Sequence, residues 1–343
     1  MTHPGKTVGV LSMEVLAVKV AVHLRWAEAV AMSWASAAIC HAAKPATRSE
    51  GVRLYVIGGS NRRSLSSIDV YDPRRGRWSM NDVPNMRERR DGPVAVVHLG
   101  FVYVCGGFDG QQALKSAERF DPEWATWDGL SDMLEARDGA AGAVVQGKVY
   151  MCGGCSHGGV RLSSVEYFCP RVGAWQRAPS MLQLRFGAVA CALQGLLYVC
   201  GGGNGEQRLA SAERFDPATG VWESIPSLTC RRDGAAAAVH DGALYVLGGN
   251  DGAGELKCCE RYHPDGGGWS RLPAMSVCRD GAAAASMDGD LYVCGGILAG
   301  RFSRRVERFA EKADAGWQPA PQLSMSRAGA VAVAVKLRAA FPI

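Results

Sequence analysis

The feature that most constrains this chain is a pair of glycines that recurs six times at an almost constant interval. The pairs are Gly58-Gly59, Gly106-Gly107, Gly153-Gly154, Gly201-Gly202, Gly248-Gly249 and Gly295-Gly296, spaced 48, 47, 48, 47 and 47 residues apart. A tyrosine stands three residues before each pair: Tyr55, Tyr103, Tyr150, Tyr198, Tyr245 and Tyr292. A period this regular means a row or ring of structural units that share their cores, and it overrides the two or three ordinary domains that 343 residues would suggest.

One full unit shows what each contains. It runs from Arg232 through the apolar stretch Ala235–Val239, turns at His240-Asp241-Gly242, and continues through Leu244–Leu247 to the glycine pair. A variable loop follows, then Cys259-Glu260-Arg261-Tyr262 and, seven residues on, Trp269. The segments have strand length, are bounded by Gly, Asn, Asp and Pro, and are too short for helices, so each unit reads as four antiparallel strands. Four strands at this period predict a propeller blade. The first unit starts near Val52 without a leading strand, and the last is followed by a spare one, Arg327 to Val335. Pairing the spare strand into the first blade removes the exposed edges and predicts a closed six-bladed ring. The units fall at about 51–90, 91–137, 138–185, 186–232, 233–279 and 280–327, with a closing strand at 327–337 and a tail at 338–343.

Each unit also carries a tryptophan 19 to 21 residues after its second glycine: Trp78, Trp127, Trp175, Trp222, Trp269 and Trp317. An indole brings roughly 150–250 Å² of burial, so six such wedges would carry much of the fold. The double glycine, the preceding tyrosine, the Glu-Arg-Phe/Tyr run followed by Asp-Pro, and the spaced tryptophan together resemble the Kelch repeat, over residues 51 to 337. Within that superfamily the units are most similar to the C-terminal propellers of Kelch-like proteins. The resemblance implies an all-β, six-bladed Kelch β-propeller. It also implies a cytoplasmic protein-interaction module that binds a partner protein or peptide on one face, as substrate recognition for a cullin-type ubiquitin ligase or in actin association.

Residues 1–50 stand outside the repeat. Leu16, Val20, Leu24, Ala27 and Ala31 recur at helical spacing, so a helix between Met13 and Cys40, ended by Lys44-Pro45, is one expectation and a loosely ordered extension the other. Fifty residues are too few for BTB and BACK domains, so a ligase role would need a separate adaptor or a longer isoform. Glu14 and Lys19 interrupt the apolar stretch, and no run long enough for a membrane span occurs.

The net charge of +5 is small and unclustered, which argues against nucleic acid as a partner. Of the twelve cysteines, Cys105, Cys152, Cys200 and Cys294 fill the slot before a glycine pair, where Ile57 and Leu247 stand in the other units. A slot that accepts Cys, Ile or Leu is an apolar strand position, and so many thiols suit a reducing compartment. Cys152 and Cys155 have CxxC spacing, but no second CxxC accompanies them, and only His157 among the histidines lies in a loop free to reach a face. Neither metal nor cofactor is expected from such a set. A pocket enzyme acting on a small carbohydrate is the alternative to the interaction module.

Charges that repeat in register read as structural, whereas residues that vary read as binding. Arg90, Arg137, Arg185, Arg232, Arg279 and Arg327 open each leading strand, and Asp69, Glu118, Glu166, Glu213, Glu260 and Glu307 recur in the third strand. These are expected to pair or to satisfy backbone groups. Resemblance to Kelch-like relatives implies that the residue after each arginine, and those after each glycine pair, line the mouth where a peptide sits. The first set is Asp91, Asp138, Phe186, Asp233, Asp280 and Ala328, four of them acidic. One-signed charge around an opening attracts the opposite sign, so a basic segment of a partner is the expected ligand. A purely local role, each Asp capping the turn at the next glycine, is the competing expectation. The second set contributes Arg62, Phe108, His157, Asn204, Asn250, Asp251 and Ile297, with Phe108 and Ile297 as apolar anchors. Arg62, Arg63, Arg208 and Arg301 make the charge of the face mixed.

Overall fold

The structure, a computed structural model, describes residues 51–266, 268–310 and 316–337. The helix expected within 13–40 lies outside the described residues. Among the latter, no helix is long and apolar enough to cross a membrane.

Each blade is a four-stranded antiparallel sheet in chain order, innermost strand first. The second blade is β4 (Val94–His98), β5 (Phe101–Cys105), β6 (Ala117–Asp121) and β7 (Thr126–Gly129). The third to fifth blades repeat this with β8 (Ala141–Val145) to β11 (Ala174–Ala178), β12 (Val189–Leu193) to β15 (Val221–Ile225), and β16 (Ala236–His240) to β19 (Gly268–Leu272). The sixth uses β20 (Ala283–Met287), β21 (Asp290–Cys294), β24 (Val306–Phe309) and β25 (Trp317–Ala320), with a small hairpin, β22 (Ile297–Leu298) and β23 (Arg301–Phe302), inserted after its glycine pair. The first blade is completed from the other end of the chain. β26 (Val331–Leu337) pairs with β1 (Gly51–Ile57) in a seven-residue register from Gly51 opposite Leu337 to Ile57 opposite Val331, outside which lie β2 (Ile68–Asp72) and β3 (Arg77–Ser79). The ring closes as the spare strand predicts.

Core forms between blades rather than within them, since a lone four-stranded sheet buries neither face. Tyr55, Ile57, Ile68 and Val70 of the first blade pack with Val102, Val104, Phe120 and Trp127 of the second. Leu54, Val56, Tyr71 and Trp78 pack on the other side with Ala283, Ala285, Met287 and Tyr292 of the sixth. Each tryptophan spans such an interface. The Trp127 indole stacks on Phe120 at 5.0 Å, and its Nε1 donates to the Pro84 carbonyl of the preceding blade at 3.2 Å. Trp78 makes the corresponding bond to Pro321, 2.7 Å away across the closure.

Cys105, Cys152 and Cys294 are buried in these cores, and burial pushes their thiols up to about 12, as an apolar strand position requires. Small side chains on the innermost strands, mainly alanines such as Ala95, Ala190 and Ala284, leave an axial channel of about 160 Å³.

The repeated arginines are fully buried and join consecutive blades. The Arg90 carbonyl accepts from Gly59 N of the first blade at 2.8 Å, while its guanidinium reaches into the second. There Nη1 donates to the carbonyls of Gly106 (2.8 Å) and Ser116 (3.0 Å), and Nε to Glu118 Oε1 at 3.0 Å. The other Glu118 oxygen accepts from Arg87 N. A buried charge is stable only when paired and hydrogen-bonded in this way. The pairing recurs as Arg137–Glu166, Arg185–Glu213, Arg232–Glu260 and Arg279–Glu307.

Candidate partner-binding face

Just beyond each buried arginine the chain crosses the axis end of the propeller, where the two variable sets meet. Asp91 bridges Phe108, Asp138 bridges Cys155, Phe186 bridges Gly203, Asp233 bridges Asn250, Asp280 bridges Ile297, and Ala328 bridges Ser60. Every residue that follows an arginine is therefore backbone-paired with the residue that follows a glycine pair, as in the bonds Asp91 N to Phe108 O (2.9 Å) and Phe108 N to Asp91 O (2.8 Å).

The floor beneath them is a circle of backbone bonds. Gly92 N donates to Gly329 O, Gly139 to Gly92, Gly187 to Gly139, Gly234 to Gly187, Gly281 to Gly234 and Gly329 to Gly281, all within 2.8–3.2 Å. At Gly139 the backbone is left-handed (φ +57°), and an added Cβ would meet the Phe186 ring at 2.5 Å, so glycine is required there.

Around this floor the six residues stand in ring order Ala328, Asp91, Asp138, Phe186, Asp233, Asp280, which gives two acidic pairs separated by Phe186 on one side and Ala328 on the other. Asp138 is held up to about 6, first by burial and then by the Asp91 charge. Asp280 also rises to about 6, through burial and the Asp233 charge. Burial raises Asp91 too, against a hydrogen bond from Ser60. Asp233 instead pairs with Arg208 at 3.1 Å. Bonds from the next glycine's amide do reach Asp91, Asp138 and Asp280, so the local capping role exists, but burial outweighs it in each. Phe186 is half-buried under the Arg161 guanidinium, 4.4 Å above its ring.

The loop residues divide. Phe108, Asn250 and Ile297 are half-buried and belong to the bridged pairs, and Asn250 hydrogen-bonds Asp280. Asn204 and Asp251 serve their own turns: Asn204 Oδ1 accepts from Glu206 and Gln207 N, and Asp251 Oδ1 from Ala253 and Gly254 N. His157 is exposed in a single 3-10 turn, and Arg62 is exposed at the first blade's loop tip. Cys152 lies in the blade core, whereas the Cys155 thiol accepts from Arg161 Nη1 at 2.8 Å.

Four exposed apolar residues escape the sequence reading: Leu134 (50% exposed), Val160 (59%), Leu182 (55%) and Leu184 (43%). They sit in loops on this same face, since the loop before each arginine is tied to the loop after each glycine pair by bonds such as Met133 N to Lys115 O and Met181 N to Ser163 O. Slot-by-slot comparison reveals them. Where Leu134 and Leu182 stand three residues before the arginine, the other units place Arg87, Thr229, Ser276 and Ser324. The apolar residues thus gather on the third blade and its junction with the fourth.

Comparison with known proteins agrees with this architecture. The KLHDC2/KLHL20/DRC7 Kelch-repeats domain matches residues 40–249, and the Kelch motif matches 231–276 and 278–310. An F-box/kelch-repeat protein of Arabidopsis thaliana is 38% identical over 90 residues, 25% of each chain, and human Kelch-like protein 23 is 30% identical over 83 residues, 24% of this chain and 14% of that protein. The chain thus matches a quarter or less of the length of these relatives. The solved structure of YjhT shares the fold with a TM-score of 0.64 at 17% identity, over 73% of this chain and 89% of that one. Kelch-repeat domains are for the most part modules of protein interaction rather than enzymes. By its motifs, its blade architecture and a family match over more than half its length, the chain belongs to the Kelch-repeat family.

Proposed function

We propose that this protein binds a basic segment of a partner protein on the face that carries Asp91, Asp138, Asp233 and Asp280. The observation that carries the reading is the pair of carboxyl groups, Asp138 and Asp280, held up to about 6 by burial and by an acidic neighbour. Each is a charge that the fold itself opposes at neutral pH and that an arriving lysine or arginine relieves. The exposed Leu134, Leu182 and Leu184 offer apolar contact beside the charges, as an interface with a polar rim and an apolar anchor would. Substrate recognition for a cullin-type ubiquitin ligase, the role implied by resemblance to Kelch-like proteins, would use the same face.

The reading is tested with an array of lysine- and arginine-rich peptides beside acidic controls, measured at two salt concentrations. Binding of basic peptides that weakens with salt, and falls at least tenfold in a variant carrying Asp138→Asn and Asp280→Asn, supports it. Equal binding of both charge classes, or an unchanged affinity in a folded double variant, overturns it.

A further inference from the structure

Four of the buried arginines, Arg90, Arg137, Arg185 and Arg232, hold a side-chain pair at the edge of this face, and in one blade that pair is two thiols. Two residues before the arginine, and 26 or 27 residues after it, the second, third and fourth blades place Glu88 with Ser116, Glu135 with Ser164 and Gln183 with Ser211. In all three the serine hydroxyl donates across the slot, to Glu88 Oε2 at 2.5 Å, Glu135 Oε2 at 2.6 Å and Gln183 Oε1 at 3.0 Å. The guanidinium Nη2 donates to the same hydroxyl, at 3.0 Å from Arg90 and 2.9 Å from Arg137. The geometry of this slot therefore brings two side-chain tips into direct contact.

In the fifth blade its occupants are Cys230 and Cys258. Arg232 Nη2 donates to Cys258 Sγ at 3.2 Å and Arg232 Nε to the Cys230 carbonyl at 3.4 Å, and the Cys230 thiol lies near enough to act on the charge of Cys258. Both cysteines are free and half-buried, so an oxidant of small size can reach them. Cys259, next in the chain, does not compete. It points to the opposite side of β18 (Cys259–His263) and is buried in the core.

We propose that Cys230 and Cys258 are a redox-modification site that closes to a disulfide by exchange with a small-molecule disulfide such as oxidised glutathione. One protein thiolate attacks the glutathione disulfide and releases one glutathione as thiol, leaving a mixed disulfide on the protein. The second thiolate attacks the protein sulfur of that bond and releases the other. Two thiols on the protein become one disulfide, and one glutathione disulfide becomes two thiols, so electrons and protons balance. The bond ties the loop that enters the fifth blade to the loop that leaves its glycine pair, two residues from the buried Arg232 and three from Asp233. Burial raises the Cys258 thiol against the opposing charge of Arg232, so exchange quickens as pH rises.

The test incubates the reduced full chain with a graded ratio of oxidised to reduced glutathione, followed by alkylation and peptide mass mapping. Half-buried Cys169 and Cys278 serve as unpaired controls. The expected result is a cross-linked Cys230–Cys258 peptide pair, loss of both thiols together, and a thermal midpoint higher without reductant than with it. Cys230→Ser is expected to leave Cys258 as a glutathione mixed disulfide. Separate glutathione adducts at Cys230 and Cys258 matching those at the controls, or two thiols that stay reduced throughout, overturn the proposal. Neither outcome depends on what the face binds.

Discussion

Asp69 uses both carboxylate oxygens on Ser324, accepting from its amide at 2.6 Å and its hydroxyl at 2.8 Å, and leaves the Nε of Arg327 without an acceptor. The other five arginines of the repeat each meet a glutamate. Asp69 is one methylene shorter, so it caps the incoming loop but does not also reach the guanidinium. The closing blade is thus the least satisfied link of the arginine ring. An unpaired buried donor of a charged group costs about 1–3 kcal/mol. Asp69→Glu should therefore stabilise the propeller by about 1–2 kcal/mol, read from the midpoint of denaturant unfolding at constant slope. A variant no more stable than the parent would show that the strand pairing leaves no room for the longer side chain.

The acidic pairs predict a pH dependence. The folded carboxyls of Asp138 and Asp280 sit at about 6, above their ordinary value of 3.8, so folding favours their protonated forms. Their contribution to stability is best below about pH 4 and is lost as pH rises through 6. Asp138→Asn and Asp280→Asn should each stabilise the fold at pH 7.5. An unscreened shift of this size is worth about 3 kcal/mol, and solvent at the mouth reduces it to about 1. Thermal midpoints at pH 4 and pH 7.5 check this: the gain should be present at the higher pH and absent at the lower.

The glycine pairs predict a far larger effect. Gly106 has a φ of +64°, and a Cβ there would lie 2.5 Å from the Arg137 carbonyl, which is the acceptor for Gly107 N. The clash is with backbone on the next arginine, so side-chain rotation cannot relieve it. Gly106→Ala should lose more than about 3 kcal/mol, whereas Gly100→Ala, in a hairpin turn with open space around it, should lose about 1 or less. Equal losses at the two positions would contradict the close approach at Gly106.

The apolar rim predicts a separation of binding from stability. Leu182 and Leu184 are largely exposed, so Leu182→Ser and Leu184→Ser together should change the unfolding free energy by less than about 0.5 kcal/mol. Affinity for the partner segment should fall severalfold in the same protein, as titration calorimetry against the best peptide of the array would measure. Unchanged affinity would remove the leucines from the interface while leaving the acidic pairs in it.

Periodicity made the fold legible because the blade motifs are local: a glycine pair, a tyrosine three residues before it and a tryptophan some twenty residues after it each do the same job six times. Closure was legible too, as one leading strand too many at one end of the chain and one too few at the other. Pairwise geometry was not. Asp91 and Asp138 are 47 residues apart in sequence and press on each other's charge only because neighbouring blades converge at the axis. The circle of bonds from Gly92 to Gly329 leaves no trace in side-chain patterning, since it is made of backbone alone. The substitution of Asp69 for glutamate is visible in the sequence, but its consequence for Arg327 depends on a methylene's reach.

The pairing of β1 with β26 also sets an order of events in time. Residue 51 finds its partner 286 positions later, at residue 337, so the first blade leaves the ribosome without its innermost strand and waits for the whole ring to be synthesised. Loop closure of that span is a late and entropically expensive step. During the wait β1 presents an unpaired edge, the kind of surface that invites another chain. Nascent copies of this protein are therefore most exposed to mispairing not at the ragged beginning of synthesis but just before its last seven paired residues arrive.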